Sequence, residues 1–170
     1  MLKVIGKVDC IGEEFFFDEY VPISYFCESG YSSVPLYWRT GNFKTSLLEI
    51  GIDSKKGNLE KVVLTLFDEI SYLDYYFNVS LASFEKGVPV FEMWSDGEGG
   101  GRFKDEIGPL NIFVSNNSIC LIFAKDNPTR ILETSNVYFY INDRDYLIGI
   151  RFFSLSDSDL SYFFKVKSDQ

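Results

Sequence analysis

Residues 43–67 decide the fold, and they read FKTSLLEIGI, then DSKKGN, then LEKVVLTLF. On both sides of the DSKKGN segment, apolar side chains alternate with polar or small ones, which is the period of a half-buried β-strand. Gly57 and Asn58 tolerate positive φ, so residues 53–58 suit a hairpin loop. We therefore predict two antiparallel strands, over residues 43–52 and 59–67. Their buried faces are expected to hold Leu48, Ile50 and Ile52 in the first strand and Val62, Leu64 and Leu66 in the second, with Glu60 at its start.

The C-terminal half of the chain contains signals for two more hairpins. Residues 110–114 and 119–123 flank Asn116-Asn117, and asparagine tolerates the left-handed conformation that tight turns need. Residues 137–141 and 146–153 flank the Asn- and Asp-rich segment 142–145. In this last hairpin we expect one face to carry Val137, Phe139 and Ile141, and one side of the facing strand to carry Tyr146, Ile148, Ile150 and Phe152.

The C-terminus carries the signals of a helix. Ser156 stands three residues before Asp159, which resembles a capping box with Asp in place of Glu. Leu160, Phe163 and Phe164 follow at helical spacing, so the predicted helix can cover one face of the sheet.

Other segments are less regular. Residues 2–8 and 88–94 are further candidate strands, and residues 71–84 fit a helix or a strand equally well. Residues 95–101 are rich in Gly and acidic side chains and are typical of a loop. Their carboxylates would repel phosphate, so this Gly-rich segment is not expected to bind it.

Length and composition indicate one domain over residues 1–170, since the chain shows no linker and no internal repeat. Hydrophobic residues make up 46% of it, and the 17 Phe and 11 Tyr favour strands. The predicted fold class is α+β, with a predominantly antiparallel sheet of six or more strands in hairpins and a C-terminal helix packed on it. A sandwich and a single sheet backed by helices both stay open. The expected core includes Leu48, Ile50, Val62, Leu64, Phe139 and Ile150.

The chain contains no histidine, which removes the usual general base near neutral pH and the commonest metal ligand. Its three cysteines, Cys10, Cys27 and Cys120, are too few and too scattered for a disulfide scaffold. We expect no catalytic residue, no metal and no cofactor. Neither a signal peptide nor a membrane-spanning segment is evident, so a cytoplasmic location is expected.

Carboxylates alone can run chemistry in enzymes that act on sugars, so a carboxylate-dependent carbohydrate-active enzyme is an alternative. The pairs Glu13/Glu14 and Asp105/Glu106 are adjacent in sequence, and neighbours in a strand point to opposite faces. The two carboxylates of each pair would then lie on opposite faces of a strand and could not act together in catalysis. A generic accessory β-domain is a further alternative.

Net charge points to the class of partner. The chain carries a formal charge of −9 and has a pI of about 4.5, which disfavours nucleic acid and anionic membranes and favours a basic protein. Residues 66–110 alone hold nine acidic and three basic side chains. We predict that this region supplies the contact surface, with Trp94 as an aromatic anchor. The candidate partner-binding residues are Asp68, Glu69, Asp74, Trp94, Asp96, Glu98, Asp105 and Glu106.

The segments LYWRTG (residues 36–41), SLLEIGID (46–53) and GNL (57–59) resemble small bacterial immunity proteins of polymorphic toxin and contact-dependent growth inhibition systems. The resemblance implies a cytoplasmic antitoxin that binds one cognate toxin C-terminal domain. Many such toxins are nucleases with basic surfaces, which an acidic inhibitor can occupy. The oligomeric state stays open.

Overall fold

The hairpin of residues 43–67 lies at the centre of a six-stranded sheet in the computed structural model, which describes residues 1–18, 20–29, 34–72, 77–94, 101–115 and 117–169 (side chains through residue 165). Within these ranges fifteen strands precede one helix. In chain order they are β1 (Val4–Val8), β2 (Gly12–Phe16), β3 (Ile23–Glu28), β4 (Leu36–Gly41), β5 (Leu47–Ile52), β6 (Leu59–Leu66), β7 (Ile70–Ser71), β8 (Ser83–Lys86), β9 (Val88–Phe91), β10 (Phe103–Ile107), β11 (Asn111–Ser115), β12 (Ser118–Ile122), β13 (Arg130–Glu133), β14 (Val137–Ile141), β15 (Leu147–Phe152) and α1 (Asp157–Asp169).

The strands form three sheets. The six-stranded sheet has the order β10-β4-β5-β6-β3-β2, the seven-stranded sheet has the order β7-β11-β12-β15-β14-β13-β8, and β1 pairs with β9 in a two-stranded ribbon. Most pairs are antiparallel; β10–β4, β11–β7 and β13–β8 are parallel. The predicted fold class, mainly antiparallel β with a C-terminal helix, is confirmed.

The two large sheets pack face to face as a sandwich, which decides between the two architectures that the sequence left open. The Tyr25 ring of β3 lies 6.0 Å from the Phe152 ring of β15 and 6.3 Å from the Phe139 ring of β14. Farther along, Trp38 of β4 lies 5.6 Å from Phe123, just after β12. Inward-facing side chains of both sheets thus form one core. All six residues predicted for this core are fully buried: Leu48, Ile50, Val62, Leu64, Phe139 and Ile150.

The first strand of the central hairpin begins at Leu47, and the prediction that it begins at residue 43 was wrong. The side-chain oxygen of Asn42 accepts hydrogen bonds from the backbone amides of Lys44, Thr45 and Ser46. Phe43 has a φ of 59°, in the left-handed region. A local Asn-capped turn therefore replaces the start of the strand.

The other predicted hairpins form with small shifts. β11 pairs with β12, and β14 pairs with β15, while Asn116 of the predicted turn lies outside the described residues. The prediction that Ile148 lies on the same side of the last strand as Ile150 was wrong. A bulge between Tyr140 and Ile141 inserts an extra residue into β15, so Leu147 faces the main core and Ile148 faces the opposite side.

The C-terminal helix begins as predicted. The backbone amide of Ser156 donates to the Asp159 carboxylate at 2.9 Å, and the Asp159 amide donates to the Ser156 hydroxyl at 3.2 Å. This reciprocal pair is a capping box with Asp in place of Glu. Leu160 and Phe163 are buried, and the Phe163 ring stacks on Phe67 at 4.9 Å. In the part of the chain that the structure describes, no helix is long and apolar enough to span a bilayer.

The β1–β9 ribbon ties the two large sheets together at one end. Val4 of β1 donates its amide to Asp145, next to β15, at 2.7 Å. Phe91 of β9 donates its amide to Gly57, in the loop between β5 and β6, at 2.8 Å. The predicted strands at residues 2–8 and 88–94 therefore exist, in shortened form, and they link the sheets.

Candidate functional site

The outward side of the six-stranded sheet, here called the outer face, arranges side chains in two rows that cross all six strands. The rows follow from strand register, because residues paired across neighbouring strands point to the same side. The first row is Phe103, Tyr37, Gly51, Lys61, Phe26 and Glu14. The second row is Asp105, Arg39, Glu49, Val63, Ser24 and Phe16.

Aromatic rings and a lysine dominate the first row. Tyr37 and Phe103 stack with ring centroids 5.3 Å apart at 19°. The Lys61 ammonium lies 4.7 Å from the centre of the Tyr37 ring, a cation–π contact. Lys61 reaches Tyr37 across Gly51, where a Cβ would lie only 2.6 Å from Lys61 Cγ. Because Gly51 has no side chain, Lys61 can pass over it and reach the Tyr37 ring.

The second row is organised by Arg39. Its Nε and one terminal nitrogen donate to the two Asp105 carboxylate oxygens at 2.7 and 2.9 Å, and its other terminal nitrogen lies 4.0 Å from Glu49. The guanidinium carbon also lies 4.4 Å from the centre of the Phe103 ring. The hydrogen bond to Asp105 raises the pKa of Arg39 above its ordinary value. The guanidinium is therefore held by Asp105, Glu49 and Phe103, and both rows meet at Phe103.

The outer face continues into an open cleft at its β2–β3–β6 end. The cleft has a volume of about 530 Å³, and its lining includes Glu14, Glu28, Glu60, Lys61 and Phe26. The Phe26 ring is 39% exposed and meets Phe16 edge-on at 5.8 Å. This end of the face is acidic, with an aromatic floor.

Of the predicted binding residues, Asp105 lies on the outer face, whereas its neighbour Glu106 points to the opposite side. Glu106 accepts a hydrogen bond from the Trp38 indole at 2.9 Å and pairs with the amino group of Met1. Burial acts to raise the pKa of Glu106, but these two partners outweigh it and hold the pKa below its ordinary value. The expectation that adjacent carboxylates on a strand point apart is confirmed here.

Asp68 and Glu69 lie elsewhere, in a separate polar cleft of about 360 Å³ between the end of β6 and the segment that follows β10. The Thr45 hydroxyl donates a hydrogen bond to Asp68. Trp94 packs against the main core, and the Lys104 ammonium lies 5.6 Å from its ring. Asp74, Asp96 and Glu98 lie outside the described residues.

The five described candidates therefore occupy different places. Lys104 connects two of them, since it approaches Trp94 and its charge also acts on Glu106. Asp105 stands on the outer face, and Asp68 and Glu69 share the second cleft.

Sequence reasoning missed most of the outer face. Tyr37 and Arg39 alternate with buried Trp38 in LYWRTG, and that pattern is a readable signal for an outward pair. Lys61, Phe26 and Phe103 come from distant segments, and only the strand register places them beside Tyr37.

Over the described ranges, no three Cys, Asp or Glu side chains are grouped so that they could hold a metal ion. No protein-family model matches the chain, and no curated protein matches it either.

Proposed function

We propose that this protein binds another protein through its outer face, and that the partner is a toxin domain whose activity it blocks. The observation that carries the proposal is the double row of aromatic and charged side chains across all six strands. Binding of this kind needs no catalytic group, so the protein acts as an inhibitor and not as an enzyme.

The composition of the outer face suits a protein partner. Aromatic residues and arginine are enriched where interfaces gain most of their binding energy. Phe103 already contacts both Tyr37 and Arg39, so little side-chain freedom remains to be lost on binding.

Charge supports a basic partner. The protein carries a formal charge of −9, and the exposed end of the outer face presents Glu14 and Glu28 beside Phe26. An acidic surface speeds the encounter with a basic protein, and the effect weakens as salt rises. Nuclease toxins present basic surfaces to their substrate, which makes a nuclease domain the preferred candidate.

The resemblance to immunity proteins falls on the same surface. Its segments, within residues 36–59, supply β4, β5 and the first residue of β6, and β4 and β5 carry Tyr37, Arg39 and Glu49. The segments on which this proposed resemblance rests thus belong to the strands in the middle of the outer face.

The proposal is tested with the toxin domain encoded beside this chain's own gene. Purified toxin domain is assayed for its activity, nucleic-acid cleavage first, with increasing amounts of this protein. We expect inhibition that saturates at one equivalent and an association rate that falls as salt rises. Growth arrest by the toxin domain that persists when this protein is co-expressed would contradict the proposal.

A carboxylate-dependent enzyme acting on sugars is a second candidate, favoured by the 530 Å³ cleft with Glu14, Glu28 and Glu60 in its lining. It predicts hydrolysis of an oligosaccharide that Glu28→Gln abolishes while leaving thermal stability unchanged. Absence of turnover across a panel of α- and β-linked oligosaccharides would remove this candidate.

A further inference from the structure

Two of the three cysteines lie in direct contact at the β2 edge of the sandwich. Cys10, in the connection between β1 and β2, places its Sγ 2.8 Å from the Sγ of Cys27 on β3. A disulfide bond is about 2.0 Å long, so the two sulfurs need to approach by less than one ångström. Both are free thiols in this structure.

The backbone holds the two thiols together. The amide of Ile11, next to Cys10, donates to the Glu28 carbonyl, next to Cys27, at 2.7 Å. β2 and β3 then continue as an antiparallel pair in which Glu13 stands opposite Cys27. The contact between the sulfurs is therefore fixed by sheet register on one side and by a backbone hydrogen bond on the other.

We propose that Cys10 and Cys27 form a redox-active dithiol that closes to an intramolecular disulfide by exchange with a low-molecular-weight disulfide. The Cys10 thiolate bonds to one sulfur of the small disulfide, whose S–S bond breaks and releases a thiolate. Cys27 sulfur then bonds to Cys10 sulfur, the S–S bond of the mixed disulfide breaks, and the second small thiolate leaves. The two released thiolates take up the protons that the Cys10 and Cys27 thiols lose. Two protein thiols are thereby oxidised by two electrons, and one small disulfide is reduced to two thiols.

The surroundings of the two thiols indicate which one attacks the small disulfide first. Cys10 is partly exposed and lines a cleft of about 290 Å³, whereas Cys27 is 6% exposed. The hydrogen bond from the Cys27 thiol lowers the pKa of Cys10, and the same bond together with burial raises the pKa of Cys27. Cys10 is thus the accessible thiolate that attacks first, and Cys27 resolves the mixed disulfide.

The lining of this cleft also selects the oxidant. It includes the carboxylates of Asp9, Glu13 and Glu133 and a single cation, Lys86. This excess of negative charge favours a cationic or neutral small disulfide over an anionic one. Cystamine and hydroxyethyl disulfide should therefore react faster with Cys10 than oxidised glutathione does.

The disulfide would restrain β2 at the edge of the six-stranded sheet. It joins the β1–β2 connection to β3 and so closes a loop that contains β2, the edge strand of the six-stranded sheet. Closing that loop restricts the unfolded chain and raises the melting temperature. This inference does not depend on the proposed binding function, because it rests on the thiol pair alone.

The experiment treats the folded, fully reduced protein with hydroxyethyl disulfide, quenches it with acid and alkylates the remaining thiols under denaturing conditions. We expect intact mass to show the loss of two hydrogens with a single alkylated cysteine, Cys120, and peptide mapping to join Cys10 to Cys27. The melting temperature should rise on oxidation and return when a reductant is added.

Variants separate this outcome from its alternatives. Cys120→Ser is the matched control and should still lose two hydrogens and gain stability on oxidation. Cys10→Ser, at a partly exposed position, should fold and show no stability gain. Three alkylated cysteines after prolonged oxidation of the folded protein, or a disulfide that includes Cys120 or a second chain, would overturn the proposal.

Discussion

The two large sheets differ on their outward sides, although their inward sides form one core. On the seven-stranded sheet, β12 is buried at all five positions, because a second apolar cluster covers its outward side. On the six-stranded sheet, the first four positions of β4 and of β5 alternate between buried and half-buried, and the half-buried outward residues include the charged Arg39 and Glu49. A sheet side that is already covered contributes to stability, whereas an open side with fixed charges is available for a partner.

One aromatic ring on each sheet illustrates this difference. Phe77, which is 4% exposed, packs over Gly149 of β15 and against Tyr140 at 4.9 Å. Its counterpart on the six-stranded sheet, Phe26, is 39% exposed and contacts another exposed ring, Phe16. Phe77 helps to cover the outward side of the seven-stranded sheet, whereas Phe26 is part of the solvent-exposed outer face.

The largest expected effect is on the free energy of unfolding, which should fall much more on substitution of Phe77 than of Phe26. Phe77→Ala should lower the free energy of unfolding by about 3–5 kcal/mol, since it leaves a cavity over β15. Phe26→Ala should lower it by less than about 1 kcal/mol, since the ring is already partly in water. Urea unfolding of both variants measures the difference, and equal losses would show that the two sheets are covered to the same extent.

Two glycines give the next largest contrast. A Cβ at residue 149 would lie 2.9 Å from the Leu121 carbonyl oxygen and 3.1 Å from the Phe77 ring, neither of which can move easily. Gly149→Ala should therefore destabilise the fold by about 1–3 kcal/mol. Gly51→Ala meets only Lys61, whose Cγ would lie 2.6 Å away, so this side chain has to change rotamer, and we expect a smaller loss than at residue 149. A larger loss for Gly51→Ala would mean that the first row is part of the packed structure.

Alkaline pH should weaken the seven-stranded sheet through Cys120. Burial raises the pKa of Cys120 to about 12. The unfolded thiol ionises near pH 8.5, so the stabilisation is complete below that pH and is lost as the pH rises toward 12. Cys120→Ala should show a shallower decline of unfolding free energy between pH 8.5 and 10 than the parent chain. Parallel declines would place Cys120 in contact with water.

The smallest effect on stability is expected at the ion pair of the outer face. Arg39 and Asp105 are partly exposed, and such pairs contribute about 0.2–1 kcal/mol. Asp105→Asn should therefore shift the urea midpoint only slightly, and less at high salt. A loss above about 2 kcal/mol would assign the pair a structural role instead of a binding role.

The sequence predicts those parts of the fold whose signals are local. The 43–67 hairpin has alternation on both sides of a turn, and the Ser156–Asp159 capping box lies within four residues. β10 was missed because it pairs in parallel with β4, more than sixty residues away, and no local turn marks such a pair. The Ile148 bulge was missed for a similar reason, since a bulge is defined only against the partner strand.

The structure separates binding residues that the sequence analysis had grouped by their charge. Charge density along the chain singled out residues 66–110, but strand direction sends Asp105 to one side and Glu106 to the other. Net charge by segment cannot distinguish a carboxylate that caps a buried tryptophan from one that faces solvent. The register of β4, β5 and β6 decides which side chains meet, and register is a property of the folded sheet.

The most direct test of the outer face compares two edge phenylalanines in binding to the proposed partner, a toxin domain. Phe103 on β10 is 48% exposed and Phe84 on β8 is 50% exposed, and both strands pair in parallel with their single neighbour. By isothermal titration calorimetry, Phe103→Ala should weaken affinity by about tenfold or more, equivalent to about 1.4 kcal/mol, while Phe84→Ala should leave it unchanged. Weakened affinity for Phe84→Ala with unchanged affinity for Phe103→Ala would contradict the account and move the interface to the seven-stranded sheet.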